Sequence, residues 1–174
     1  MIRHLLSMLF APWRRESPSA LRVNGVSVDN LPVDPTPAHA VALAGLVVGI
    51  AHAAGAADLD YSPASLAHVD RLVLSIRGDR RHKHRGVGLL LFLFGCYVGE
   101  VFVRHANARW VMPDESEQRF GFHVMGIRTA DCQFVNVIGK VFKLMKYGEE
   151  DSVGFFYGVF SDSDRTQAML NGTA

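Results

Sequence analysis

GVGLLLFLFGCYVGEVFV, residues 86–103, is the stretch on which the fold turns: its only charge is Glu100, and it follows the basic run from Arg80 to Arg85. Three structures suit an apolar run of this kind. A membrane span needs about 17 to 25 residues, so this one stands at the short limit. Gly95 and Gly99 have the small-residue spacing of packed membrane helices, and the cations before them would face the cytoplasm. A single strand is far too short to use the whole run, and the two glycines would break its ladder. The strictly uncharged part, residues 86–99, has the length of a core helix. The run is therefore expected to be the central helix of a water-soluble domain.

On that helix Cys96, Glu100 and Arg104 recur every fourth residue, with Tyr97 one turn before the acid. Burying a bare carboxylate costs several kcal/mol at least, about 3 to 5 when a partner is missing, so Glu100 must be paired, protonated or used. In a catalytic reading it is a general acid or base, with Tyr97, His105 or His123 supplying a second polar group and Cys96 a nucleophile. In a structural reading it pairs with Arg104 or accepts hydrogen bonds from neighbouring amides, and so fixes how the helix packs. The structural reading is preferred, because no second acid, metal set or glycine-rich phosphate loop accompanies it in the sequence. No catalytic residue is assigned; an enzyme would use Glu100, Tyr97 and His123.

The chain has 174 residues, the size of one domain with extensions. A net charge of +1 with 20% charged residues gives no global preference for nucleic acid or an anionic membrane. Cys96 and Cys132 form no C-x-x-C pair, which suits a reduced, cytoplasmic compartment. His82 and His84 form an H-x-H without a third ligand, so neither a metal nor a cofactor is expected. Near the N-terminus, Leu5, Leu6, Leu9 and Phe10 make an apolar core shorter than a signal peptide's, with no A-x-A site after it. The segment reads as a disordered end or as a short helix docking Leu5, Leu9 and Trp13 on the domain. As a membrane anchor flanked by Arg14 and Arg15 it is too short to bind lipid strongly by itself.

Three parts follow: an N-terminal arm and proline-rich connector (1–37), a globular domain (38–162) and a polar tail (163–174). Asn24-Gly25 marks a type I′ turn between short β-prone pairs. Residues 38–54 read as a helix of small apolar residues that Gly55 can close. Ser62 is an N-cap with Pro63 at the first position, and the helix runs to Gly78. The basic segment 77–86 joins two apolar helices and reads as a solvated loop. Residues 108–112 and 120–127 read as two antiparallel strands joined by the acidic turn 113–117, with Trp110 anchoring the sheet to the helices. Phe134 to Met145 is the next helix, with Lys140, Lys143 and Lys146 on one face and Gly148 as its C-cap. A last helix starts after Glu149, Glu150, Asp151 and Ser152 and carries Phe155, Phe156, Tyr157 and Phe160.

The order Asp60-Tyr61-Ser62-Pro63-Ala64-Ser65-Leu66, then Tyr97-Val98-Gly99-Glu100, then Trp110, resembles a group of bacterial domains of unknown function. That group carries a D-x-S-x-x-S-L helix start, a Y-L-G-E helix end and a following tryptophan. The resemblance covers about residues 58–160 and departs from the pattern at Val98 and in the basic loop. It implies a small α+β domain with an accessory or interaction role rather than a chemistry.

Taken together, the sequence predicts a helix-rich α+β domain in which a small antiparallel sheet packs on about five helices. The expected function is a non-catalytic protein-binding module of the bacterial cytosol, with a cognate bacterial protein as partner, such as a toxin it neutralises in the manner of an immunity protein. No specific nucleic acid and no membrane is expected. Two docking surfaces are expected: Arg80, Arg81, Lys83 and Arg85 with Lys140 and Lys143, and the aromatic Phe155, Phe156 and Tyr157. The alternatives are an enzyme using Glu100, and a membrane-associated protein held through 1–15 or 86–103.

Overall fold

A computed structural model describes residues 21–23, 26–28, 31–56, 58–78 and 86–161. Its centre is α3 (Val87–His105), in which every residue from Val87 to Phe102 is buried. By length and composition α3 alone among the described helices could cross a membrane, and 89% of its apolar window is buried inside the protein. Gly86 starts it in the left-handed region, φ 99°, which a glycine adopts without strain.

Around α3 pack α1 (Ala40–Ala53), α2 (Leu66–Gly78) and α5 (Val137–Tyr147), with strands on its remaining sides. Proline opens two of these elements. Pro37 begins a 3-10 turn that runs into α1, and Pro63 begins another that runs into α2. Ser62 caps the second turn, its Oγ accepting from the Ser65 N–H at 3.2 Å. Gly55, φ 57°, follows the end of α1.

The spacing of Gly95 and Gly99 serves the interior of this fold. A Cβ built on Gly95 would lie 2.6 Å from Ile138 Cα, and one on Gly99 2.2 Å from Cζ2 of Trp110. Glycine thus brings α5 and the Trp110 ring into direct contact with the α3 backbone.

The strands form two small antiparallel sets. β1 (Leu21–Val23) and β2 (Val26–Val28) make a hairpin in which Val23 faces Val26, leaving two residues between them. The turn type at Asn24-Gly25 lies outside the described residues. β3 (Arg109–Val111), β4 (Gly126–Arg128) and β5 (Phe134–Val135) form a sheet in that order, with Trp110 opposite Ile127. The α+β class expected from the sequence is therefore present.

Three elements differ from the sequence reading. The stretch read as an acidic turn contains helix α4 (Glu115–Arg119), closed by a capping box: the Glu117 N–H donates to Asp114 at 2.9 Å and the Asp114 N–H to Glu117 at 2.8 Å. The strand expected over 120–127 is only Gly126–Arg128, because α4 and the turn at Gly121, φ 90°, use up the preceding residues. Phe134 does not begin a helix but sits in β5, because Asn136 caps α5 by accepting from the Gly139 N–H at 2.7 Å. After α5, Gly148 leads through a 3-10 turn (Glu149–Asp151) into α6, residues 153–161.

Candidate functional site

Glu100 is 3% exposed and both of its oxygens are engaged. Trp110 Nε1 donates to Oε1 at 2.8 Å, and Arg104 Nε lies 3.5 Å from Oε2. The geometry follows from chain order. α3 ends at His105, Asn107 turns the chain with φ 47°, and β3 returns so that its middle residue lays an indole over Gly99. The indole N–H of half-buried Trp110, laid against a helix whose backbone groups are already bonded, finds the one carboxylate of that helix.

Arg104 extends the site outward. Its guanidinium carbon stands 3.6 Å from the centroid of the Tyr61 ring, and Tyr61 stacks on Tyr97 with centroids 4.9 Å apart. Tyr61 has φ 64°, a costly conformation for a bulky residue. Three contacts hold it there: the Tyr97 ring, the Arg104 cation and the bond its N–H donates to the Tyr97 hydroxyl at 2.8 Å. Ser65 Oγ bonds the same hydroxyl, so the turn that leads into α2 is tied to α3 at one phenol.

Ionisation follows the burial. Desolvation pushes the Tyr97 phenol above its ordinary value, with the Ser65 hydrogen bond opposing it. Tyr61 is also raised by burial, while Arg104 pulls it back. The Cys96 thiol is driven far above its usual range by burial, and the nearby Glu100 charge adds to the effect. A thiol held protonated is a poor nucleophile, which counts against the role suggested for Cys96.

Among the hydrogen bonds and ion pairs described, none joins Glu100, Tyr97 and His123, the residues an enzyme would use. His123 is exposed and lies before β4 rather than in a strand, and Glu100 is contacted by Trp110 and Arg104. The Tyr97 hydroxyl points to Ser65 and the Tyr61 amide, away from any partnership with Glu100. The expected Glu100–Arg104 pair is present. The sequence marks Trp110 as an anchor of the sheet; its bond to Glu100 adds a second role, for which the one signal in the sequence is that an indole N–H packed on a helix requires an acceptor.

The expected docking surfaces fare unequally. Arg80, Arg81, Lys83 and Arg85, with His82 and His84, lie outside the described residues. Lys140 is not an open cation: its Nζ bonds Asp151 Oδ1 at 2.6 Å and stands 5.3 Å from the Phe156 ring centroid. Lys143 is exposed. On α6, Phe156 packs edge-on to Phe102 at 5.9 Å and against Phe160 at 4.8 Å, and Tyr157 packs on Phe102 at 4.9 Å. Phe155 is different. It is 73% exposed, with Val159, one turn on, 50% exposed.

α6 itself is held by a residue that sequence reading passed over. Asp70, on α2, accepts from the Val153 N–H at 2.8 Å, the Gly154 N–H at 3.2 Å and the Ser152 hydroxyl at 2.7 Å. A carboxylate at a helix N-terminus satisfies free amides and meets the positive end of the helix dipole. This cap comes from a distant helix, so no local pattern announces it. Among the described residues no three His, Cys, Asp or Glu side chains gather in a metal-binding group. The chain matches no family model, and no curated protein or solved structure matches it.

Proposed function

We propose that the protein is a non-catalytic protein-binding module that docks through the outward side of α6, with Phe155 and Val159 as its apolar anchors. The observation that carries this reading is the contrast within one helix: Phe156 and Tyr157 pack on the core, while a neighbouring phenylalanine stands 73% exposed. Exposing an aromatic ring of this size forgoes roughly 1.5 to 3 kcal/mol of burial, and rings of this kind dominate protein interfaces. The internal pairing of Glu100 supports the same reading, because a general base needs an oxygen that a substrate can reach. The motif resemblance to bacterial accessory domains adds to it, and a cognate toxin neutralised in the cytosol is its narrowest form.

The test compares affinity captures from the native host, at low salt, by the full chain and by its Phe155→Asp and Val159→Asp variants. A protein retained by the full chain and lost with both variants is the expected result. Identical captures by all three, or none by any, would overturn the proposal.

A further inference from the structure

The backbone groups of a strand point alternately to its two sides, so one hydrogen bond fixes the facing of every residue in an unbroken ladder. At the turn between β4 and β5 the Thr129 N–H donates to the Gln133 carbonyl at 3.0 Å, so residue 129 faces β5. Ile127, two residues back, faces β5 as well, and Gly126 and Arg128 face β3. Their partners there are Val111 and Arg109. The N–H and C=O of Trp110, between these two, therefore point away from β4, along the free side of β3. That strand is an edge of its sheet, and among the described residues no backbone group bonds Trp110 from the free side.

The side chains along this edge are unbalanced in charge. Arg109 and Arg128 are cross-strand partners, so their side chains leave the sheet on one face, and like charges so placed repel. Arg128 is neutralised, with Glu117 at 2.9 Å and Asp114 at 3.9 Å. Arg109 is exposed, and among the described residues no carboxylate pairs with it. An open strand edge invites a further strand, and a cation on that edge admits an acidic strand while turning away a basic one.

We propose that the free edge of β3 takes an extended acidic peptide as a fourth strand of the sheet, with a carboxylate beside Arg109. Both existing pairings in the sheet are antiparallel, and an antiparallel addition keeps it of one kind. One peptide residue then exchanges two hydrogen bonds with Trp110, the residue after it faces Arg109, and the residue before it faces Val111. Val111 is half-buried, so the sequence recognised is an apolar residue, any residue, then an acid. β5 also has an outward residue, Phe134, but that strand is two residues long and Asn136 turns the chain into α5. A second copy paired edge to edge would set Arg109 against a strand of arginine, tryptophan and valine, with no acid to meet it. The site is separate from the outward side of α6 and stands whether or not that helix binds a partner.

Titrating the isotope-labelled full chain with end-blocked heptapeptides, and following its amide chemical shifts, tests the proposal. The peptide TSVTETS is expected to shift the Trp110 and Val111 amides saturably, with a Kd on the order of millimolar, and TSVTKTS should bind about tenfold more weakly. Arg109→Glu, at an exposed position, should reverse that preference. Methylating the peptide nitrogen of the central threonine removes the donor to the Trp110 carbonyl and should abolish the shifts. Equal affinity for the two peptides, a preference kept in Arg109→Glu, or binding untouched by the methyl group would overturn the proposal. So would unmoved Trp110 signals with either peptide, or Trp110 shifts that grow with protein concentration alone, the sign of a second copy on the edge.

Discussion

Replacing Gly99 by alanine tests the central contact of the fold. A new Cβ would lie 2.2 Å from Cζ2 and 2.3 Å from Cη2 of Trp110, so the indole must retreat by over about 1 Å to reach ordinary contact. The atoms in the way belong to a ring fixed by β3, so no flexible end can swing aside. Retreat stretches the 2.8 Å bond from Nε1 to Glu100 beyond hydrogen-bonding distance. Overpacking costs about 1 to 3 kcal/mol. A weakened partner for a buried carboxylate adds about 1.5 to 3 kcal/mol. Against these stands a gain of about 1 kcal/mol from alanine's helix propensity. The net loss is about 1.5 to 5 kcal/mol, a large share of the 5 to 15 kcal/mol typical of a domain. Urea unfolding followed by far-UV circular dichroism measures it, with Gly158→Ala as control, since a Cβ there meets nothing within 4 Å. The clash argument also predicts strong coupling: with Trp110→Leu in place, Gly99→Ala should cost less than about 1 kcal/mol. If Gly99→Ala is as stable as Gly158→Ala, the reasoning fails.

Glu100→Gln keeps an acceptor for Trp110 and should cost about 1 kcal/mol or less, whereas Glu100→Leu strands the indole N–H and should cost more, about 1 to 3 kcal/mol; the order of the two urea midpoints is the check. Asp70→Ala removes the cap of α6 and should cost about 1 to 2 kcal/mol, with hydrogen exchange speeding first at Val153 and Gly154; uniform loss of protection would contradict a local cap. Alkaline stability has a definite sign. Cys96 and the two tyrosines are raised above ordinary values of 9.0 and 10.0, so the folded protein keeps protons that the unfolded chain has lost. Stability should be level below about pH 9 and fall as the pH rises further, and Tyr97→Phe should flatten the part above pH 10; a profile unchanged by that substitution would reject burial of the phenol as a cause.

The parts of the fold that were legible in the sequence are those written by local chemistry. Ser62-Pro63 opened α2 as expected, and the 86–103 run became the central helix. The misses came where two local signals competed. Over 113–117 acidic composition suggested a turn, yet Asp114 and Glu117 stand at the spacing of a capping box, which won. At Phe134 the apolar periodicity ran on past Asn136, although asparagine is a strong N-cap and ends the strand there. Long-range partners left no local trace. Asp70 reaches α6 across more than 80 positions, and Trp110 meets Glu100 only because β3 turns back along α3.

The same distinction bears on why a carboxylate stands at position 100. A leucine there would cost no desolvation, and replacing buried ion pairs with apolar groups often stabilises a protein. What an apolar side chain lacks is direction. β3 has only three residues, too few for its ladder alone to fix where it lies along α3. The 2.8 Å bond from the indole and the glycine beneath its ring select one register, since a slip of one residue would turn Trp110 to the other face of the sheet. Arg104 then carries that choice to Tyr61 and the entry of α2, so one acid ties the sheet and two helices together. A carboxylate that fixes the register of β3 on α3 gives position 100 a structural use, through the bond from Trp110 and the pair with Arg104.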